Sequence, residues 1–423
     1  MTSLGIFFIV ILTVSLFLPY RYTFLILLLS CMFQISSVSK SAMIQPYLVS
    51  EAFIIFRSIG GLLTKKTYIN EKITRIVFLF VVWSLAISYF APNIFAGLPV
   101  VGKDLDEAFL KGLDTLSFGQ GNIKQMMYVT LNFSTLIALY YNRKKIGINK
   151  VHNYFVIVLS IAVFFGYWGY MANVFGVPYP TDFLLSGGDL YEVKTFNDQY
   201  RMNGLCGEAS FFGAFISSAF WALMFLKQTP YRRILMLFVL GCIMLNFSGS
   251  AYLTFLIGAL IFIILHGVKM KHYVLFAFIM IFVILFLFYT PIGNSILAFM
   301  QNKQDSGSTE VRYWVTFVNA KLFVDSYGLG IGLGSSRSSS FIVDLLAGTG
   351  IIGTILFFLI YKRIVWPLKK NSRSVFSFIY LTLMLICMML SIPDLSFCLF
   401  WFGMHIAILL CDRNEQKMAT RTL

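Results

Sequence analysis

The stretch NKQDSGSTEVRYWVTFVNAKLFVDSYGLGIGLGSSRSSS, Asn302–Ser340, is a long polar interval in an otherwise apolar chain. It carries Glu310, Arg312, Lys321, Asp325 and Arg337, and its second half places glycine at 328, 330, 332 and 334. Immediately behind it, FIVDLLAGTGIIG opens a new apolar segment at Phe341. A polar interval bounded by segments of bilayer-spanning length reads as a loop at a membrane surface.

Composition extends that reading to the whole chain. Of 423 residues, 58% are hydrophobic and 12% charged, with a mean hydropathy of +0.81. Soluble domains carry about 25% charged residues, so two or three soluble domains are excluded. Apolar runs occur at 4–18, 22–35, 43–60, 76–90, 126–141, 154–171, 209–226, 234–247, 252–265, 273–289, 341–360, 374–390 and 395–410. The expected fold is all-α: a single polytopic membrane domain over 1–423. The N-terminal MTSLGIFFIV lacks a basic region and a cleavage site, and reads as a first membrane segment.

The net charge of +15 marks topology rather than nucleic acid. Basic clusters at Lys65–Arg75, Arg143–Lys150, Lys227–Arg233, Lys269–Lys271 and Lys362–Arg373, and the basic tail, fall between alternate segments. Placed in the cytoplasm, as the positive-inside rule asks, they make every segment from Ile76 onward alternate. The loops 172–206 and 291–340 then share the extracytoplasmic face, and the C-terminus is cytoplasmic. The segment at 43–60 contains Glu51 and Arg57 and lies either at the interface or inside the bundle. Counting one of the first three segments as non-spanning gives about twelve helices with both ends inside; counting all gives about thirteen and an external N-terminus. The expectation is about twelve. The 103–114 loop is expected to form a short amphipathic surface helix, and 309–325 another, with its polar face toward lipid headgroups.

Three clusters hold the residue types needed for chemistry. In YRMNGLCGEAS, Arg201 and Glu208 stand where a loop becomes an apolar helix. Arg201 either snorkels or binds an anion. Glu208 either caps the helix or, raised by burial, serves as a base. In STEVRYW, Arg312 lies off the apolar stripe of Val311, Trp314, Val315, Val318 and Leu322; it either belongs to a solvated charged face or offers its planar guanidinium to a diphosphate. In the third cluster Gly330, Gly332 and Gly334, with Arg337 and the serines around it, form either a flexible loop or an anion-binding nest ahead of Asp344. No histidine falls in an expected external loop, and HExxH, GxSxG and a Cys–His pair are missing. The six cysteines are scattered without metal-ligand spacing. Neither a metal nor a cofactor is expected.

In segment order, in R201-M-N-G-L-C-G-E208, in Arg312, and in G328-L-G-I-G-L-G followed by serines and D344-L-L-A-G-T-G, the chain resembles the O-antigen polymerase family and, more distantly, the O-antigen ligases. The resemblance implies a bacterial inner-membrane glycosyltransferase working on the periplasmic face. There a growing glycan leaves one undecaprenyl diphosphate and joins the terminal sugar of a second carrier-linked unit. It implies Arg201, Arg312 and Arg337 as diphosphate ligands. The expected partners are undecaprenyl-diphosphate-linked donor and acceptor, membrane lipids, a chain-length regulator and a repeat-unit flippase, and no nucleic acid. Glu208 is the first choice as general base and Asp344 the second. Ligase relatives often carry a histidine after the glycine run, where this chain has Ser338–Ser340. A transporter of lipid-linked sugars is the alternative of a different class; it calls for charges in facing half-bundles and broken midplane helices.

Overall fold

The computed structural model describes residues 1–39, 44–64, 72–102, 108–110, 112–186, 195–196, 199–226, 230–266 and 308–411. The expected segment at 273–289, residues 291–307 of the late loop, residues 103–107 and 111 of the expected 103–114 surface helix, and part of the 172–206 loop lie outside them.

The described chain is largely α-helical. Its helices are α1 (Ser3–Leu16), α2 (Tyr20–Ser30), α3 (Pro46–Thr64), α4 (Lys72–Ile94), α5 (Gln120–Ile146), α6 (Ile148–Phe175), α7 (Ala209–Phe225), α8 (Pro230–Leu245), α9 (Gly249–His266), α10 (Ser308–Asp325), α11 (Phe341–Val365), α12 (Val375–Ser391) and α13 (Cys398–Leu410). Two short antiparallel ladders, Pro99–Val100 with Asp114–Thr115 and Thr195–Phe196 with Gln199–Tyr200, are the strands among the described residues. Three described stretches, Lys72–Ile94, Lys150–Phe175 and Phe341–Lys370, are long and apolar enough to cross a membrane. At 1.5 Å per residue, a helix of 23 residues reaches roughly 34 Å, against a hydrocarbon core of about 30 Å. Ser3–Leu16, Tyr20–Ser30, Ala209–Phe225, Gly249–Ile264, Val375–Ser391 and Cys398–Leu410 are shorter apolar helices.

Local chemistry sets the helix ends. Thr2 caps α1 by accepting the Gly5 N–H at 2.9 Å. Pro19 separates α1 from α2. Arg143, Lys144 and Lys145 occupy the last turn of α5, where the helix dipole favours cations, and Gly147 breaks it with φ 82. Large aromatic rings fill the centre: Phe133 of α5 lies 4.8 Å from Phe80 of α4 and 4.9 Å from Trp401 of α13, ring centre to ring centre.

The two ends of the bundle differ in chemistry. At one end Arg57 donates to the Ser15 and Leu18 carbonyls at 2.8 and 2.7 Å, Lys145 lies over the Tyr20 ring, His152 meets the Arg373 carbonyl, and Cys411 donates to the Arg363 carbonyl. At the other end Tyr47 donates to the Ser396 carbonyl at 2.9 Å, Ser340 to the Met389 carbonyl at 2.8 Å, and Asn122 to the Leu333 carbonyl at 2.9 Å. Thr2 belongs to this second end, through a 2.6 Å bond to the Ser37 carbonyl beside Ser36, which itself donates to the Leu184 carbonyl. The described chain therefore begins and finishes at opposite ends. Along this path α1, α2 and α3 run to and fro in turn. The segment that holds Glu51 packs inside the bundle, with Glu51 fully buried.

Two expectations change in detail. α10 forms, and its stripe of Val311, Trp314, Val315, Val318 and Leu322 packs on Val100, Val101, Ala108 and Leu116. Its outward face is not uniformly polar, since Tyr313, Phe317 and Val324 are 76%, 70% and 68% exposed there. The segment after Phe341 is also not one continuous helix: Gly350, at φ 67 and ψ −173, breaks α11.

Candidate functional site

The break at Gly350 explains the glycine run. A helix interruption strands carbonyl groups, and a membrane-embedded chain must satisfy them internally. The run from 328 to 334 does so. Ile331 donates to the Ala347 carbonyl at 2.7 Å and Gly332 to the Gly348 carbonyl at 3.1 Å, while Ile351 returns a bond to the Gly328 carbonyl at 3.0 Å. Trp83 takes the Thr349 carbonyl at 2.7 Å. Gly328, Gly330, Gly332 and Gly334 all have positive φ, from 74 to 93, a region costing other residues about 1–2 kcal/mol each. Contact closes the argument: a Cβ on Gly330 would sit 2.5 Å from the Gly350 nitrogen, and one on Gly332 2.9 Å from the Ser88 Cα. A Cβ on Gly334 would fall on the Gly121 carbonyl.

The N–H groups of this run are therefore largely engaged. Gly330 donates to Ser326 Oγ at 3.2 Å and Leu333 to Ser88 Oγ at 3.0 Å, beside the Ile331 and Gly332 bonds above. Gly330 and Gly332 thus act as packing and chain-path residues, and their amides are not aimed at a ligand as an anion nest requires. What the folded run does is fix the segment that follows. Asn319 of α10 holds the Arg337 carbonyl at 2.8 Å, and the Ser338 N–H reaches Asp344 Oδ1 at 3.3 Å.

The Arg337 side chain is exposed and acts electrostatically on two carboxyl groups, Asp344 in the first turn of α11 and Asp394 in the turn between α12 and α13. The two aspartates also act on each other. Burial raises the Asp394 carboxyl above its ordinary value, and Arg337 opposes that shift. Tyr128 of α5 feels the same carboxylate. Asp394 was not among the sequence candidates. Its sole signal was an acid in the short turn Ser391–Ile392–Pro393–Asp394 between two apolar segments.

Arg201 and Glu208 form a second group. Arg201 donates from Nε to the Phe247 carbonyl at 3.0 Å, at the junction of α8 and α9. Burial lowers its pKa, while Glu208 and Tyr252 act in the opposite sense; a guanidinium remains charged throughout. Glu208 occupies the N-cap position of α7 but makes no side-chain capping bond; its Oε1 accepts from Ser210 Oγ at 3.1 Å. Gly207, at φ 72, brings the backbone against Ile35. Asn246 ties this corner down through the Met202 and Ala209 carbonyls at 2.6 and 2.8 Å.

The groups share one end of the bundle. Phe211, in the first turn of α7, lies 5.2 Å from Phe397, which closes the Asp394 turn. Arg312 is exposed on α10, two helical turns before Asn319. The structure thus gathers Arg337, Asp344 and Asp394, sets Arg201 and Glu208 beside the same turn, and leaves Arg312 at the rim. A groove of about 730 Å³ lies between α6 and α8, lined by Phe164, Tyr167, Trp168 and Phe238. It is apolar, and none of the charged residues above lines it. Among the described residues no cluster of three metal-ligating side chains occurs.

No family model, curated protein or solved structure matches this chain. Chemically, the site offers an exposed guanidinium that acts on two carboxyl groups, with a second arginine–carboxylate pair nearby, at an end of the bundle that holds few of the described basic residues.

Proposed function

We propose that this protein is a membrane-embedded glycosyltransferase that polymerises polyprenyl-diphosphate-linked oligosaccharide repeat units at the extracytoplasmic face of a bacterial inner membrane. The observation that carries the proposal is Arg337 set against Asp344 and Asp394. Glycosyl transfer from a lipid diphosphate needs a fixed cation where leaving-group charge develops and a carboxylate that takes the acceptor hydroxyl proton. Arg337 supplies the first, and its exposed guanidinium has the fork that two phosphate oxygens require. Asp394, with its raised pKa, suits the second better than a fully solvated carboxylate.

In this mechanism the acceptor hydroxyl oxygen attacks the anomeric carbon, the bond to the diphosphate oxygen breaks, and the hydroxyl proton passes to the carboxylate. The departing diphosphate keeps the bonding electrons, and its charge is met by Arg337 and Arg201. The apolar groove between α6 and α8 suits a polyprenyl tail. Tyr313 and Phe317 on the outward face of α10 suit the interfacial belt of a bilayer, and the basic opposite end suits the cytoplasm. The path of α1 to α3 favours an N-terminus outside and about thirteen crossings.

Purified protein in lipid should lengthen carrier-linked repeat units without ATP. Movement of unpolymerised units across vesicles with no new glycosidic bonds would instead establish the transporter reading, which draws support from the helix break at Gly350. Transfer to a lipid A core rather than to a repeat unit would place the protein with the ligases.

A further inference from the structure

Glu51 of α3 and His405 of α13 meet inside the bundle, with Oε1 3.2 Å from Nε2 and no exposed surface on either side chain. Ionisable groups at membrane depth are expensive and mark functional positions. Two observations separate this pair from ordinary packing.

The first is an excess of polar atoms. The two facing atoms, Glu51 Oε1 and His405 Nε2, lack a protein hydrogen bond among the described residues, as do Glu51 Oε2, His405 Nδ1, Thr135 Oγ1 and both amide atoms of Asn132. Folded proteins satisfy nearly all such groups. The second is alignment. α3 and α5 run in the same direction, and Asn142 donates to Ser58 Oγ at 3.1 Å. Two helical turns back along both helices, Thr135 comes level with Glu51. One turn further, Asn132 comes level with Tyr47, whose hydroxyl donates to the Ser396 carbonyl in the turn that carries Asp394. Polar side chains thus form a column from the Arg337 site into the core.

The titratable groups facing the pair are Cys31 of α2, Tyr47 of α3 and Cys398 of α13, on each of which Glu51 acts electrostatically; Tyr128 of α5 lies beyond Tyr47. None of them is a cation. Two separate ions would lack the supporting hydrogen bonds that a buried salt bridge requires, whereas a single proton held between carboxyl and imidazole would give both facing atoms the partner they lack.

We propose that Glu51 and His405 form a proton-binding site in the core of the bundle, whose proton exchanges with water entering from the Asp394 end past Asn132 and Tyr47. The transfer breaks the carboxyl O–H bond as the imidazole N–H bond forms, and total charge is unchanged. The site requires no glycan, so it is tested on the full chain in nanodiscs without substrate.

Infrared spectra at neutral pH should show a protonated-carboxyl C=O band that is lost in Glu51→Gln, shifted in His405→Gln, and moved by transfer to D₂O. Tyr47→Phe should slow that exchange and leave the band in place. Identical spectra for Glu51→Gln and wild type would overturn the proposal, as would a band that never exchanges, which would mark a sealed structural pair. A band abolished by sodium but not by choline would overturn it in favour of a metal-cation site. Should Glu51→Gln fail to fold, the shift in His405→Gln and the exchange of the wild-type band decide the matter by themselves.

Discussion

Phe211 and Phe397 lie 5.2 Å apart, ring centre to ring centre, and their contact joins the Arg201–Glu208 corner to the turn that carries Asp394. Aromatic pairs contribute about 0.5–1.5 kcal/mol beyond the area they bury. Phe211→Ala should therefore lower the thermal midpoint in detergent and reduce polymer formation together. Phe211→Tyr, which keeps the ring, should restore both. Polymer formation unchanged in Phe211→Ala would mean that the two groups work independently.

Asp394 gives a pH dependence of defined sign. Its carboxyl is raised above the usual value of about 3.9, so its carboxylate form is lost at a higher pH than in an ordinary aspartate. If it accepts the acceptor proton, the rate should fall on acidification through that raised value, and Asp394→Asn should remove both the activity and this acid limb. Stability runs the other way. The folded chain holds the proton more tightly than the unfolded one, so this group's contribution is full below the unfolded pKa and declines as pH rises through the folded pKa. Asp394→Asn should abolish that decline in a series of thermal melts. A variant with wild-type rates at every pH would exclude Asp394 as the base.

Arg337 meets the leaving-group charge in this mechanism, and its backbone carbonyl stays held by Asn319 when the side chain is changed. Arg337→Lys keeps the charge and loses the fork. On the scale of an oxyanion-donor deletion, transfer should slow on the order of 10²-fold, with protein yield unchanged. Rates within a factor of about two of wild type would remove Arg337 from the leaving-group site.

Gly350 and Gly119 make a matched contrast in stability. Gly350 needs φ 67, and a Cβ there would collide with the Leu329 and Gly328 carbonyls; Gly350→Ala should destabilise by at least about 2 kcal/mol. Gly119 caps α5 at φ −149, and no atom lies within 4 Å of where a Cβ would stand. Gly119→Ser should hold or gain a few tenths of a kcal/mol, since serine is the better N-cap. Thermal melts of the two purified variants check both.

How much of this was legible beforehand depends on the range of the interaction involved. The membrane character and the helix at 308–325 follow from local periodicity, and Arg201, Glu208 and Arg337 stood out as charges bordering apolar segments. The glycine alternation pointed to a flexible loop or an anion nest. It did not disclose that the partner of that run is a helix break at Gly350, because the match is made backbone to backbone and leaves no side-chain pattern. Asp394 was missed for a similar reason: a single acid in a short turn has meaning only through Arg337 and Asp344, which reach it across the fold. Glu51 and His405 sit nearly at opposite ends of the chain, and no local window contains both.

Arg201 supplies the last test. Its Nε is occupied by the Phe247 carbonyl at 3.0 Å. A guanidinium can keep such an anchor through Nε while its terminal nitrogens turn to a phosphate. Lysine has one nitrogen for both tasks, so Arg201→Lys must give up either the anchor or the ligand. Shorter polymer, or none, is expected at unchanged protein amount, and the deficit should deepen as salt rises, because the remaining point charge is screened over about 8–10 Å. Glu208→Gln discriminates the neighbouring roles. As an electrostatic partner of Arg201, Glu208 can be neutralised with a modest loss; as the base, it cannot be neutralised without loss of turnover. A Glu208→Gln variant that still polymerises, beside an Asp394→Asn variant that does not, would assign proton transfer to the turn between α12 and α13.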